Sequence, residues 1–314
     1  MAKSAADKII GHQIQLRGQY TRIAKQAVQR LQKLRSEVKA ELIDAMGRND
    51  LANTFGRMGM LKRIDRAVSD QYSAMESDLV DELTALYQYE LDWSDRAFKI
   101  GMSESLVSED FIRSFVESDP FDGKLLKEWV SEQELATQTA IKRTVRLGIV
   151  NGLSSDKIVA SLINDPSNPF KTSKRNAEIL VRTAGAHVTA SADMKGFEEA
   201  GVEKYQLSSV LDMRTTRICA SLDGKVFRVA DGARKMPPFH PGCRTTMIAI
   251  FDDEEPVDEN FEGWLGKQSE ADQVKWLGPV RYKMWKSGVR IESFVDQDDL
   301  HVLSLAELRK VDLV

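Results

Sequence analysis

Residues 211–246 read LDMRTTRICASLDGKVFRVADGARKMPPFHPGCRTT, and both cysteines of the 314-residue chain, Cys219 and Cys243, lie here with one of its four histidines, His240. Asp223-Gly224 is a hairpin signal, because glycine tolerates the positive φ of a tight turn. It separates Val210-Leu211 from Lys225-Val226-Phe227 as short strand candidates. Pro237-Pro238 and Pro241-Gly242 force an extended, turning path around Phe239 and His240. Such a path folding back on itself would bring Cys219, His240 and Cys243 together, three zinc-type ligands in a C-x20-H-x2-C arrangement. The stretch is expected to form a compact knot, and segments 203–212, 224–229 and 245–251 a small antiparallel sheet around it.

Upstream of the knot the pattern is helical. The helix expected over 173–200 is rich in small residues, Ala177, Ala184, Gly185, Ala186, Ala190, Ser191 and Ala192, which let another backbone approach. His187 on it is expected to be a hydrogen-bonded packing histidine, and Arg182 to pair with a carboxylate or carbonyls of the knot. DPSNPFKTS (165–173) reads as a loop and hinge, after a helix DKIVASLI capped by Ser154 or Ser155 and ended at Pro166. The run 125–150 reads as a helix closing at Gly152, and FIRSFVESDP, behind Ser108, as a short helix stopping before Pro120.

Two long amphipathic helices open the chain. Leu16, Tyr20, Ile23, Ala27, Leu31, Leu34, Val38 and Leu42 recur at three and four residues over 14–46. Leu61, Ile64, Val68, Tyr72, Met75, Leu79, Leu83 and Leu86 do so over 61–97, which predicts an antiparallel pair. An irregular connection through Gly47, Gly56 and Gly59 is expected between them. Tyr87, Tyr89 and Trp93 read as core or partner contacts. The first helix has a basic face, Arg17, Arg22, Lys25, Arg30, Lys33, Arg35 and Lys39, with few acids beside it. That face is a solvated surface or a contact for DNA or an acidic partner.

Downstream, FDDEEPVDEN (251–260) reads as an exposed acidic linker. Short helices follow, one capped near Ser269 and broken at Gly278-Pro279, one at RYKMWKSG, and one at 303–310 opened by a Ser304/Glu307 capping box. Trp264, Trp276 and Trp285 imply docking, onto the chain's own core or onto a partner. The expected organisation is mainly α: an elongated helical region over 1–135, the knot's domain over 136–252, and a linker with an aromatic helical tail over 253–314.

A net charge of −4 gives no global pull toward nucleic acid. No apolar run is long enough to span a membrane, and MAKSAADKIIGHQIQLRGQ has no apolar core of a secretory signal. Two cysteines without an export signal point to a reducing compartment and argue against a Cys219–Cys243 disulfide.

Asp212, Arg214-Thr215, Cys219, Leu222-Asp223-Gly224, Phe227, Pro238, His240-Pro241 and Cys243-Arg244 together resemble the signature of the phage Mu F-like head morphogenesis, or minor head, proteins. GIVNGLSSDKIVASL, then ILVRTAGAHVTASADMKGFEEAGV with its Arg182-Thr183 pair, is similar to the family upstream, and FEGWLGKQSEADQVKWLGPVRYKMWKSG downstream. Thr216 stands where many members carry Cys or Ser, and Ala184 where many carry Glu. The resemblance implies a low-copy structural protein of a tailed bacteriophage virion, associated with the portal. It would enter during procapsid assembly in the host cytoplasm, reside in the head interior or at the portal vertex, and act in DNA packaging or ejection. Asp212 to Arg244 would then be scaffold, with His240 and Arg244 orienting the turns. The long helices would contact the portal, an inner capsid or scaffold surface, or packaged DNA.

No G-x-S-x-G, phosphate loop, dinucleotide-binding glycines or H-E-x-x-H is present, so no catalytic residues are assigned. Three readings of the knot's donors stay open. One is a catalytic zinc with Asp212 or Asp223 handling protons. Another is a structural zinc closed by Asp212 or by a further group, and the simplest is two buried thiols without metal. The expected function is protein contact. The alternatives are a zinc-dependent hydrolase or nuclease carried in the head, and an injected DNA-binding protein using Arg17, Arg22, Lys25, Arg30 and Lys33.

Overall fold

A computed structural model describes residues 5–98, 107–164, 168–231, 235–251 and 255–310. The protein is mainly α with one small antiparallel sheet. Its helices begin with α1 (Ala5–Gly47), α2 (Thr54–Phe98), α3 (Glu109–Ser118), α4 (Leu126–Val150), α5 (Ser155–Ile163) and α6 (Pro169–Glu199). Then come β1 (Lys204–Ser208), α7 (Arg217–Leu222), β2 (Val226–Arg228) and β3 (Thr246–Ile250). The tail holds α8 (Phe261–Gly266), α9 (Glu270–Leu277), α10 (Pro279–Lys286) and α11 (Leu305–Lys310). The chain divides into two compact units that interleave in sequence: a helical unit of residues 17–86 and 107–185, and a mixed unit of residues 1–16, 87–106 and 186–314. Residues 1–135 therefore contribute to both.

In the helical unit the apolar stripes are buried as their spacing predicts, Leu34, Val38 and Leu42 of α1 and Val68, Tyr72 and Met75 of α2 among them. Arg22 pairs with Glu82, Arg30 with Asp78, and Gln71 donates to Glu37. Positions rising along α1 thus meet positions falling along α2, the antiparallel arrangement. Tyr72, fully buried, needs a partner for its hydroxyl. It is hydrogen-bonded to Thr137 of α4 at 2.8 Å, which bonds Ser173 of α6 at 2.7 Å.

Several boundaries differ from those expected. The first helix starts at Ala5 instead of 14, and the second at Thr54 instead of 61, so the expected irregular connection through Gly59 is helical. The cause is local capping: Asn53 Oδ1 accepts the N–H of Gly56 at 2.7 Å. Gly56 is required because the preceding turn occupies the space a side chain would need; a Cβ there would lie 2.6 Å from the Asp50 backbone. Similarly, α6 begins at Pro169, four residues early, with Asn168 Oδ1 accepting the N–H of Lys171 at 3.1 Å. Proline at the first helical position gives up only an N–H that has no helical partner. The rest of the expected hinge, 165–167 with Pro166, lies outside the described residues. Ser154 caps α5 without a side-chain bond, whereas Ser108, at the start of α3, accepts the Phe111 N–H.

The small residues of α6 do what their size allows. A Cβ on Gly185 would meet the Tyr20 ring at 2.9 Å in the helical unit, and one on Gly196 would meet Ser94 Cβ at 2.8 Å in the mixed unit. Arg182 is exposed and makes no hydrogen bond or ion pair among the described residues, so the pairing expected for it is not seen. Its neighbour Thr183 is buried and back-bonds to the Ile179 carbonyl at 2.7 Å. His187 is buried, as a packing histidine should be.

In the mixed unit the sheet order is β2-β1-β3, with Tyr205 opposite Phe227 on one side and Ala249 on the other. Tyr205, Leu207, Met247 and Ala249 close a core with Phe197 of α6 and Leu222 of α7. β1 and β2 are not joined by the tight hairpin that Asp223-Gly224 signals. Val210-Leu211 is irregular and α7 is inserted, and Gly224 at φ 80 makes the return into β2. The aromatic tail docks on this unit itself. Phe261, Leu265, Trp276 and Phe294 pack with Ala220 of α7, and Trp276 Nε1 donates to the Thr215 carbonyl at 2.9 Å. Ser269 caps α9, and the Ser304/Glu307 box forms in both directions.

Candidate functional site: a Cys-His knot

Thr216 opens α7: its hydroxyl accepts the Cys219 N–H at 3.2 Å, which sets Cys219 in the first turn of the helix. At the other end Asp223 accepts the backbone N–H of Ser209, and that of Phe261 at 2.6 Å, so one carboxylate ties the strand exit to the tail. Burial raises the Asp223 carboxyl to about 6 against those two bonds. Asp212 accepts two bonds of 2.7 Å from the Arg244 guanidinium and one of 2.8 Å from the Arg214 N–H. That fork holds its carboxyl far below the usual carboxylate range. Thr215, beside it, donates to the Val210 carbonyl.

Between these two anchors the predicted donors converge. Cys219 Sγ lies 3.0 Å from His240 Nε2 and 3.7 Å from Cys243 Sγ, and both cysteines are buried and reduced. His240 Nδ1 is 3.0 Å from the Pro241 carbonyl, which can only accept, so Nδ1 carries the proton and Nε2 presents its lone pair. Thr216 Oγ1 is also 3.0 Å from Nε2. The Cys219 thiol is drawn down to about 7, chiefly by its contact with Cys243, and the Cys243 thiol is pushed up by the same contact and by burial. A cavity of about 200 Å³ opens beside them, lined by Thr215, Thr216, Cys219, His240, Arg244 and Thr245. Asp212 is not among the converging donors. Arg244 occupies both its oxygens, so it is placed as an anchor and not as the expected fourth ligand.

The basic face of α1 is less open than its sequence implied. Arg22 and Arg30, expected to face few acids, are forked onto Glu82 and Asp78 of α2, and Lys33 lies 3.9 Å from Glu37. Lys25 is exposed, as is Arg17.

A second polar cluster was not foreseen. In the mixed unit, His12 of α1 and Glu90 of α2 are buried with contacts of 2.8 and 3.0 Å, Trp93 stacks on His12 at 3.9 Å, and Asp193 of α6 is hydrogen-bonded to Glu90. Desolvation raises the Glu90 carboxyl to about 7 and Asp193 well above its usual range, and lowers His12 to about 4. Its signal was in the stripes: His12 shares a helical face with Ile9 and Leu16, and Glu90 with Tyr87 and Leu91, all buried.

Fold and site together define a helical protein whose knot is held by an Asp–Arg fork, a buried carboxylate and three converging Cys/His donors. Residues 139–248, which contain that knot, match the family model described as Phage Mu protein F like protein. Over 142 residues, 43% of the chain, the sequence is 30% identical to a Haemophilus influenzae protein named only as an uncharacterized protein. That match covers 29% of the relative, so the chain spans under a third of its length. No solved structure matches.

Proposed function

We propose that this protein is a minor head protein of a tailed bacteriophage, associated with the portal and acting in head assembly and DNA packaging or delivery through protein contacts. The observation that carries this reading is the Mu F-like match over residues 139–248, within which every motif residue from Arg182 to Arg244 falls. The chemistry of the knot supports contact over catalysis. Asp212 and Asp223, the two carboxylates weighed as general bases, are both committed, Asp212 to Arg244 and Asp223 to two backbone N–H groups. The injected DNA-binding reading loses support because Arg22, Arg30 and Lys33, three of its five cations, already have carboxylate partners. Among the described residues no helix is long and apolar enough to cross a membrane.

The test is quantitative mass spectrometry of gradient-purified procapsids and heads, with crosslinking to name the neighbours. Low-copy co-sedimentation with crosslinks to the portal is the expected outcome. Absence from both particles would overturn the proposal.

A further inference from the structure

The knot's three donors are arranged as a metal site. We propose that Cys219, His240 and Cys243 bind one zinc ion through Sγ, Nε2 and Sγ, with a water in the fourth position held by the Thr216 hydroxyl. The inference does not rest on the proposed role in the phage head.

Geometry carries it. With Zn–S near 2.3 Å and Zn–N near 2.0 Å, a tetrahedral ion sets its sulfurs about 3.8 Å apart and sulfur and nitrogen about 3.5 Å apart. The two sulfurs already stand at 3.7 Å, and all three donor atoms lie within 4.8 Å of one another. A disulfide needs about 2.05 Å, so the pair is spaced as two ligands and not as a bond about to form. The 3.0 Å separation of Cys219 Sγ and His240 Nε2 must widen by about half an ångström to reach that spacing.

The surroundings of the ligands point the same way. Metal-bound histidines commonly donate their other ring N–H to a carbonyl or carboxylate, which fixes the tautomer and aims the free nitrogen. His240 does this through Nδ1 to Pro241, and its Nε2 faces Cys219. Two buried thiolates without a cation would be costly, and a divalent ion makes the pair neutral as a unit. Thr216 Oγ1 sits 3.0 Å from Nε2 on the wall of a cavity roomy enough for water, so its hydroxyl would lie beside a water completing the shell. The ligands come from α7 and from the 240–243 turn ahead of β3, so the ion would add to the Thr216–His240 contact and the Asp212–Arg244 fork in holding these segments together.

The test uses tag-free, full-length protein purified with added zinc, then dialysed against metal-free buffer. Elemental analysis is expected to find one zinc per chain, and X-ray absorption two sulfurs at about 2.3 Å with nitrogen or oxygen at about 2.0 Å. Chelation should expose both thiols to an alkylating reagent, and added zinc should protect them again. His240→Ala is expected to weaken zinc by on the order of 100-fold. Thr216→Cys supplies a third thiolate at the water's corner and should tighten binding about tenfold, with a third sulfur in the absorption shell. This gain-of-affinity variant separates a lost ligand from a lost fold. Protein that takes up no zinc, zinc retained in a folded Cys219→Ser/Cys243→Ser double variant, or thiol reactivity indifferent to the metal would each overturn the proposal.

Discussion

Replacing Glu90 by Gln tests whether the buried cluster of the mixed unit stores a pH-dependent cost. Gln keeps the size of the side chain and can still bond His12 and Asp193, but it carries no charge to desolvate. The Glu90 carboxyl is held at about 7, from an ordinary 4.5, mainly by burial. Between those values the folded chain keeps a proton that the unfolded chain has released, so stability falls as pH rises through the window. His12, lowered to about 4, acts in the opposite sense: its contribution is present above pH 6.5 and is lost as pH falls toward 4. Asp193 opposes Glu90 across the cluster, while Arg96 further disfavours protonation of His12 and Gln15 favours it. Comparing variant with wild type cancels the Arg96 and Gln15 contributions, while Asp193, raised in part by Glu90, relaxes in the variant and acts in the same sense. A carboxyl shifted this far changes stability by roughly 2 to 3 kcal/mol between pH 5 and pH 8. Glu90→Gln should therefore gain about that much on the wild type at pH 8 relative to pH 5. The assay is urea unfolding at both pH values, followed by far-ultraviolet circular dichroism and by tryptophan fluorescence, to which Trp93, stacked on His12, contributes. An equal stability difference at both pH values would refute the argument.

Three other perturbations probe the packing. Arg244→Gln breaks the fork on Asp212, a half-exposed pair, and should cost about 1 to 2 kcal/mol at pH 7 by urea titration. Because the fork depresses the Asp212 carboxyl, its contribution is present above pH 3.8 and is lost in stronger acid, so the difference should shrink as pH falls below 3. Gly148→Val pushes a Cβ to within 2.5 Å of Ile158 Cγ1 between α4 and α5 and should destabilise the helical unit by about 1 to 3 kcal/mol. Adding Ile158→Ala should recover part of that loss, and a double-mutant cycle without coupling would contradict the packing. Trp276→Phe keeps the ring but loses the bond to Thr215, for about 1 kcal/mol, whereas Trp276→Ala should cost about 3 to 5 kcal/mol by thermal or urea unfolding. Equal effects would place that tryptophan outside the docked tail.

The sequence alone was enough for features governed by near neighbours. The apolar periods over α1 and α2 and the caps at Ser269 and Ser304 are local, because capping and facial burial are decided within one or two turns. The Cys219, His240 and Cys243 trio was legible for the same reason, since prolines and Asp-Gly confine the path that joins them. Tertiary structure alone decided which polar groups meet. It brought the Thr216 hydroxyl, read only as a missing cysteine, onto His240 Nε2 at 3.0 Å, and it took Asp212 away from the donors by giving it to Arg244. It set Arg22 and Arg30 against α2 acids 60 and 48 residues away, and His12 against Glu90 at a separation of 78. Local pattern says which face of a helix is buried, but not which other face it will be buried against. The fate of a charge depends on that second face, which supplies its partner and excludes its water.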